Sequence, residues 1–192
     1  MQPAPRRRTA AGVAGVLALA LVVMPACSSG DDDDDEVDVT LPRAQAECEA
    51  RSPVLRVDLI ETAIEQVEAE LGGPQQYFEI NATDLLVNLF VSVEDGTQVK
   101  PYVFIEDELN SRDPLDGTPQ GFTFAASAVE FDAQKVTSCV TAQLPESQAT
   151  AFEIVADAQG NPMYSVVTTS AQGGQLIVAV NGQGQVLSVD PA

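Results

Sequence analysis

The residues that could do chemistry are three cysteines and 29 acids, because the sequence contains no histidine. Without histidine, Ser–His–Asp and Cys–His mechanisms and His-ligated zinc sites are excluded. A serine nucleophile would need a lysine base, and neither Lys100 nor Lys135 stands in a Ser-x-x-Lys setting. Paired carboxylates could hydrolyse glycosides, but among so many acids some pair always lies close together, so this signal has no specificity. The sequence therefore predicts no catalytic residues, no metal site and no cofactor, and hence no enzyme.

The net charge narrows the range of partners. The whole chain carries −20, and residues 37–192, with 23 acids and six bases, carry −17. We expect no binding to nucleic acid, because neutralising phosphates requires lysine and arginine. For the same reason, we expect no docking on anionic lipid through a basic patch. The charge suits a basic partner or loosely held divalent cations, although solubility at a crowded surface explains it as well.

The first 26 residues are typical of an export signal peptide. Three arginines at positions 6–8 form a cationic start. Residues 10–23 form an apolar stretch that is shorter than the roughly 20 residues of a membrane span. Met24-Pro25-Ala26-Cys27 closes this stretch, and a polar segment follows. The pattern predicts export and leaves the route open between the general secretory and twin-arginine systems.

These four residues resemble the lipobox of bacterial lipoproteins. Ala26 fits the family's pattern, whereas Met24 and Pro25 stand where leucine and a small residue are usual. The resemblance implies that the chain is cleaved before Cys27 and that Cys27 receives a diacylglyceryl group. The protein would then be held by its lipid anchor on the extracytoplasmic face of the cell membrane. Cleavage by an ordinary signal peptidase, or a retained N-terminal anchor, stays open as an alternative.

Residues 27–51 are predicted to form a lipidated acidic tether. The aspartates at positions 31–35 and Glu36 repel one another and bury no apolar surface, which favours an extended chain. A calcium site would need oxygens fixed by turns and glycines, and this run lacks them.

If Cys27 carries lipid, Cys48 and Cys139 remain in an oxidising compartment. We expect these two cysteines to form a disulfide that closes a loop of about 90 residues. On the loop-entropy model, closing such a loop stabilises the folded state by roughly 4–5 kcal/mol, less any strain in the bond. A redox role is disfavoured, because the sequence has no Cys-x-x-Cys motif.

The rest of the chain is predicted to form an α+β fold of two tandem repeats, residues 52–128 and 129–192. Residues 52–71 carry apolar side chains every four positions and are followed by two glycines and a proline, which predicts a helix. A second helix is predicted over residues 132–144. Apolar runs bounded by turns predict four strands after each helix, at 77–82, 85–93, 99–105 and 122–128, and then at 151–156, 163–169, 176–180 and 185–189. We expect each repeat to pack its helix on a four-stranded antiparallel sheet.

In the predicted strands, apolar residues occur at both odd and even positions, so both faces of the sheet are partly apolar. A sheet covered on one side should be polar on the other, so a second face is predicted to be covered by the other repeat, by a partner protein or by a lipid. The candidate binding face consists of Leu86, Phe90, Tyr102, Phe104, Tyr164, Val166 and Ile177. The acidic connection over residues 107–121 is a second candidate, with a solvated linker as its alternative.

Two resemblances bear on function. Tandem units of one helix and four strands over residues 52–190 are similar in element order to beta-lactamase-inhibitor-protein and PepSY-type architectures, which implies protein binding or peptidase inhibition. The layout of lipobox, tether and α+β body is similar to mycobacterial-type lipoproteins that carry lipids in a cavity. We therefore predict a non-enzymatic surface lipoprotein that binds a protein or an envelope ligand, with a lipid or glycolipid carrier as the alternative.

Overall fold

The computed structural model describes Cys48, residues 54–115 and residues 119–192. All of these residues belong to one compact unit. The predicted signal peptide, the lipidation site at Cys27 and almost all of the tether lie outside the described residues.

The described residues form a single antiparallel sheet of nine strands. The strands are β1 (Gln76–Ala82), β2 (Val87–Val93), β3 (Gln98–Ile105), β4 (Glu108–Ser111), β5 (Phe124–Ala125), β6 (Ser147–Ala156), β7 (Pro162–Ser170), β8 (Gln175–Val180) and β9 (Val186–Pro191). Their order across the sheet is β4-β3-β2-β1-β6-β7-β8-β9, and the short β5 pairs with the start of β1. Along this order, adjacent strands are consecutive in the chain except at the centre, where β1 meets β6.

Helix α1 (Ile60–Leu71) follows a 3₁₀ turn, Arg56–Leu59. It forms because Ile60, Ala63, Ile64 and Val67 lie on one stripe, and all four are buried. Gly72 ends the helix with φ of +82°, a left-handed conformation that glycine adopts without steric cost. The chain is helical from residue 56, later than the predicted start at residue 52.

The predicted architecture of two tandem repeats, each a helix on a four-stranded sheet, is wrong. The two halves share one sheet, because β1 pairs with β6 through Ile80↔Ile154 and its neighbours. Helix α2 (Ser138–Gln143) has only six residues, whereas the sequence predicted a helix over residues 132–144. The buried residues of this region are Val136, Thr137, Cys139 and Val140, and their apolar stripe is too short to anchor a second long helix.

The connection predicted over residues 107–121 begins as a strand. Residues 108–111 form β4, and the chain then continues along β3, where the amide of Leu115 donates to the carbonyl of Val99 at 2.8 Å. Pro101 lies in β3, which has neighbours on both sides, although proline cannot donate to a ladder of hydrogen bonds. The carbonyl of Pro101 faces Arg112, just beyond the end of β4, so the missing amide falls where the ladder has ended.

Both helices lie against one face of the sheet. On this covered face, aligned positions on neighbouring strands carry fully buried side chains such as Ile80, Leu89, Tyr102 and Ile154. Val67 of α1 and Val140 of α2 belong to the same apolar cluster. The core is therefore a single layer between the sheet and its helices.

Three hairpin turns in the second half share one construction. In each, the side-chain oxygen of the first residue accepts backbone amides within the turn, and a glycine in fourth place has a positive φ of +76° to +90°. The turns are Asp157 to Asn161, Ser170 to Gly174 and Asn181 to Gln185, and each contains a Gln-Gly pair. Local hydrogen bonding thus sets the register of β6 to β9.

The turn between β8 and β9 packs closely on the segment that leads into α2. The amide of Asp132 donates to the carbonyl of Gly182 at 2.7 Å. A Cβ atom at Gly184 would clash with the carbonyl oxygen of Lys135 and would lie 3.0 Å from Sγ of Cys139. Glycine is required here by close approach as well as by backbone conformation.

Replacing Gly184 with alanine should therefore destabilise the protein more than the same change at Gly173. Both glycines have positive φ, but a Cβ at Gly173 meets nothing within 4 Å. We expect G173A to cost about 1–2 kcal/mol of unfolding free energy from left-handed strain. G184A should cost about 1–3 kcal/mol more from overpacking. Urea denaturation of both variants measures the difference, and equal costs would contradict the close packing of this turn.

Candidate functional site

Cys48 and Cys139 are joined by a disulfide, with Cα atoms 5.1 Å apart. The bond links residues 91 positions apart and reaches α2 at its buried cysteine. Cys139 also lies beside the β8–β9 turn, with Sγ 3.8 Å from the carbonyl oxygen of Gln183. The bond therefore ties the chain before the first helix to the segment that supports this turn.

The seven residues of the candidate binding face do not share one surface. Tyr102, Phe104 and Val166 are fully buried on the covered face, and Tyr164 lies on that face too. Phe90 and Ile177 lie on the opposite face, and Leu86 precedes β2. The reason is register. Tyr102 pairs with Leu89 and Phe104 pairs with Val87, so these aromatic residues share the face of the buried valine and leucine.

Tyr102 serves to attach α1 to the sheet. Its hydroxyl donates to Oε1 of Glu70 at 3.1 Å, and Nζ of Lys100 lies 3.5 Å from the same oxygen. The ammonium also lies 4.8 Å from the centre of the Tyr102 ring. Burial raises the pKa of Tyr102, while its hydrogen bond to Tyr102 raises the pKa of Lys100. The cluster therefore joins the end of α1 to β3 through a hydrogen bond, an ion pair and a cation–π contact.

The opposite face, here called the open face, carries a row of polar side chains at its centre. Asn88 donates to Asn81 at 2.7 Å, and Asn81 donates to Glu79 at 2.7 Å. On β6, Glu153 accepts a long hydrogen bond of 3.5 Å from Ser165. The pKa of Glu153 is raised, first by burial and then by the negative charge of Glu79 on the adjacent strand. The carboxylates of Glu79 and Glu153 therefore repel each other on a partly buried surface.

Replacing Glu153 with glutamine should stabilise the protein at neutral pH but not in acid. The folded state holds a proton on Glu153 more tightly than the unfolded state does, so stability falls as pH rises through its folded pKa. At pH 7 we expect E153Q to gain roughly 0.2–1 kcal/mol, the magnitude of a cross-strand side-chain interaction. At pH 4 the gain should vanish. Denaturation at both pH values checks this, with E79Q expected to reduce the dependence, and an equal gain at both would contradict it.

A cleft of about 980 Å³ runs between α1 and the segment of residues 126–133. Its floor is apolar and includes Ile60, Ile64, Val129 and Phe131. Six carboxylates line it, and none of the described residues in its lining is a lysine or an arginine. These acids are Asp58, Glu61, Glu65, Glu68, Glu130 and Asp132. We call this feature the acidic cleft.

Three of the six carboxylates are engaged with neighbouring groups. Asp58 lies 3.6 Å from Arg56, and Asp132 lies 3.3 Å from Lys135. Glu68 accepts the backbone amide of Gln75 at 3.1 Å. The ion pairs among the described residues do not involve Glu61, Glu65 or Glu130. Among the described residues, no cation therefore neutralises these three charges.

The wall opposite α1 is held in place by Tyr164 and by packing. The Tyr164 hydroxyl accepts the amide of Glu130 at 2.9 Å, and burial raises the pKa of that hydroxyl. The ring of Phe131 packs on Phe152 and Tyr164, with centroids 5.1 and 5.9 Å away. Tyr164, one of the residues of the candidate binding face, positions this wall of the cleft.

One wall of this site leaves a signal in the sequence. Glu61, Glu65 and Glu68 recur at i, i+4 and i+7 beside the apolar stripe of α1, and no lysine or arginine stands among them. Like charges at this spacing destabilise a helix, so the contribution of these three residues to folding is unfavourable. The opposite wall could not be read from the sequence, because it depends on contacts with β6 and β7.

Comparison with known proteins adds no functional assignment. No protein-family model, curated protein or solved structure matches this chain. In the part of the chain that the structure describes, no group of three or more histidine, cysteine or acidic residues is placed to hold a metal ion. No helix within those same residues is long and apolar enough to cross a membrane.

Proposed function

We propose that this protein is a non-enzymatic lipoprotein, anchored through Cys27 on the extracytoplasmic face of the cell membrane, that binds a cationic ligand in the acidic cleft. The observation that carries the proposal is the lining of the cleft, which combines an apolar floor with six carboxylates and no basic side chain among the described residues. A cleft of this size with convergent polar groups is typical of a binding site.

Charge decides which ligands suit the cleft. Residues 37–192 carry −17, so their field attracts cations and repels nucleic acids and anionic lipids. Within the cleft, Glu61 and Glu65 on one wall and Glu130 on the other lack ion-pair partners in the described residues. A cation entering the cleft would meet carboxylates from both walls, and its apolar parts would meet Ile64 and Phe131.

The alternative function is that of a lipid or glycolipid carrier. A carrier needs an apolar cavity that shields acyl chains from water. The acidic cleft offers an apolar floor but a charged rim, which suits a cation better than an acyl chain. Native mass spectrometry of the purified protein distinguishes the two functions, because extra mass from lipid that is lost on denaturation would favour the carrier.

Replacing Cys27 with serine should release the protein from membranes. The lipid is attached to the cysteine thiol, which serine lacks. We expect C27S in the soluble extracytoplasmic fraction and without incorporated palmitate. The matched control is C48S, which removes a different cysteine and should stay in the membrane fraction. A C27S protein found wholly in the membrane fraction would contradict the anchor.

Removing two cleft charges should weaken the binding of a simple polycation. We expect E61Q/E65Q to bind fluorescent hexalysine about three- to tenfold more weakly than the unchanged protein, because two exposed ion pairs are lost. The control E106Q/E146Q removes the same charge from exposed residues outside the cleft and should change the affinity little. Equal losses in both variants would mean that net charge alone attracts the probe, and the cleft would not be the site.

A further inference from the structure

We infer that the ligand of the acidic cleft is an extended peptide segment of a partner protein in which basic and apolar residues alternate. This inference rests on the proposed function, since it names the class of cationic ligand. Three features of the cleft point to it, namely its length, the spacing of its free carboxylates and the nature of its floor.

The length of the cleft suits about five residues of extended chain. The wall formed by α1 and its 3₁₀ turn runs from Val57 to Glu68. At about 1.5 Å per residue, this wall is roughly 16 Å long. An extended peptide advances about 3.3 Å per residue, so about five residues span the wall. The volume of about 980 Å³ accommodates a peptide of this length with its side chains.

The spacing of the free carboxylates matches a strand. Glu61 and Glu65 are exposed and lie one turn apart along α1, a rise of about 6 Å. Alternate residues of an extended peptide lie about 6.6 Å apart on the same side. Basic residues at alternate positions would therefore meet Glu61 and Glu65 in turn, and Glu130 adds a negative charge on the facing wall.

The floor accounts for the residues between the basic ones. Ile64 lies at the surface of the core, and Val129 and Phe131 are partly buried and remain accessible from the cleft. In a strand, the side chains between the basic residues point the other way. Apolar residues at these positions would remove the floor from water, which a polar residue does not achieve.

The cleft does not need to be ordered by its ligand. The wall of residues 126–133 is fixed by the hydrogen bonds of Glu130 to Tyr164 and of Asp132 to Gly182. The opposite wall is a helix packed on the core. Preformed walls reduce the entropic cost of binding, so a short peptide can bind measurably.

Three fluorescent pentapeptides of equal charge test the inference on the mature protein in phosphatidylcholine nanodiscs. They are Lys-Leu-Lys-Leu-Lys, its reordered form Lys-Lys-Leu-Leu-Lys, and Lys-Ser-Lys-Ser-Lys. We expect the alternating leucine peptide to bind about tenfold tighter than the serine peptide and about threefold tighter than the reordered one. Fluorescence anisotropy at physiological salt measures all three affinities.

A variant of the floor supplies an independent measurement. V129T keeps the shape of the side chain and replaces one methyl group with a hydroxyl. Because Val129 is only partly buried, the fold should be retained. V129T should weaken the leucine peptides and leave the serine peptide unchanged. E61Q/E65Q should weaken all three peptides, because each carries the same charge.

The outcomes separate this inference from the proposed function. Equal affinities for the three peptides, with a loss in E61Q/E65Q, would overturn the alternating peptide and leave the cleft as a site for cations. Tighter binding of the reordered peptide would overturn the extended conformation in favour of a helical one. Equal affinities without a loss in E61Q/E65Q would overturn both.

Discussion

The pairing of β1 with β6 is the constraint on which the rest of the structure depends. These strands are far apart in the chain, yet Ile80↔Ile154 and Ala82↔Phe152 lie directly opposite each other at the centre of the sheet. The register turns these four residues toward the helices and Glu79 and Glu153 toward the open face. A slip of one residue would exchange the two sets and place carboxylates in the core. The cleft depends on the same register, because the ring of Phe131 in its wall packs on Phe152.

Apolar packing holds the cleft together against its own charge. Glu61 and Glu65 repel each other along α1, and Glu130 adds a like charge on the facing wall. Helix α1 tolerates this because Ile60, Ala63, Ile64 and Val67 are buried on its other side. The facing wall tolerates it because Phe131 and the Tyr164 hydrogen bond fix it to the sheet. A basic ligand would relieve a repulsion that the folded protein otherwise carries, which is a reason to expect tight complementarity there.

What the sequence could predict is what local interactions decide. The stripe of α1 and its end at Gly72 follow from spacing and from glycine's conformational freedom, and the Gln-Gly turns follow from side-chain hydrogen bonds within five residues. The faces of Tyr102 and Phe104 required the register between β2 and β3, which alternation within one strand does not give. The single sheet required a contact between residues more than 70 positions apart, for which hydrophobic patterning carries no signal. In the site, the wall formed by α1 could be predicted, because its pattern is local. The facing wall could not, because it depends on contacts with distant strands.

The acidic tether and the acidic cleft have the same sign of charge, and this has a consequence for binding. Residues 31–36 carry six negative charges, and the body that follows carries −17. Two copies of this chain repel each other, because both carry a large negative charge and exposed charges interact over about 8 Å at physiological ionic strength. Charge therefore favours a basic segment of another protein over a second copy as the ligand of the cleft.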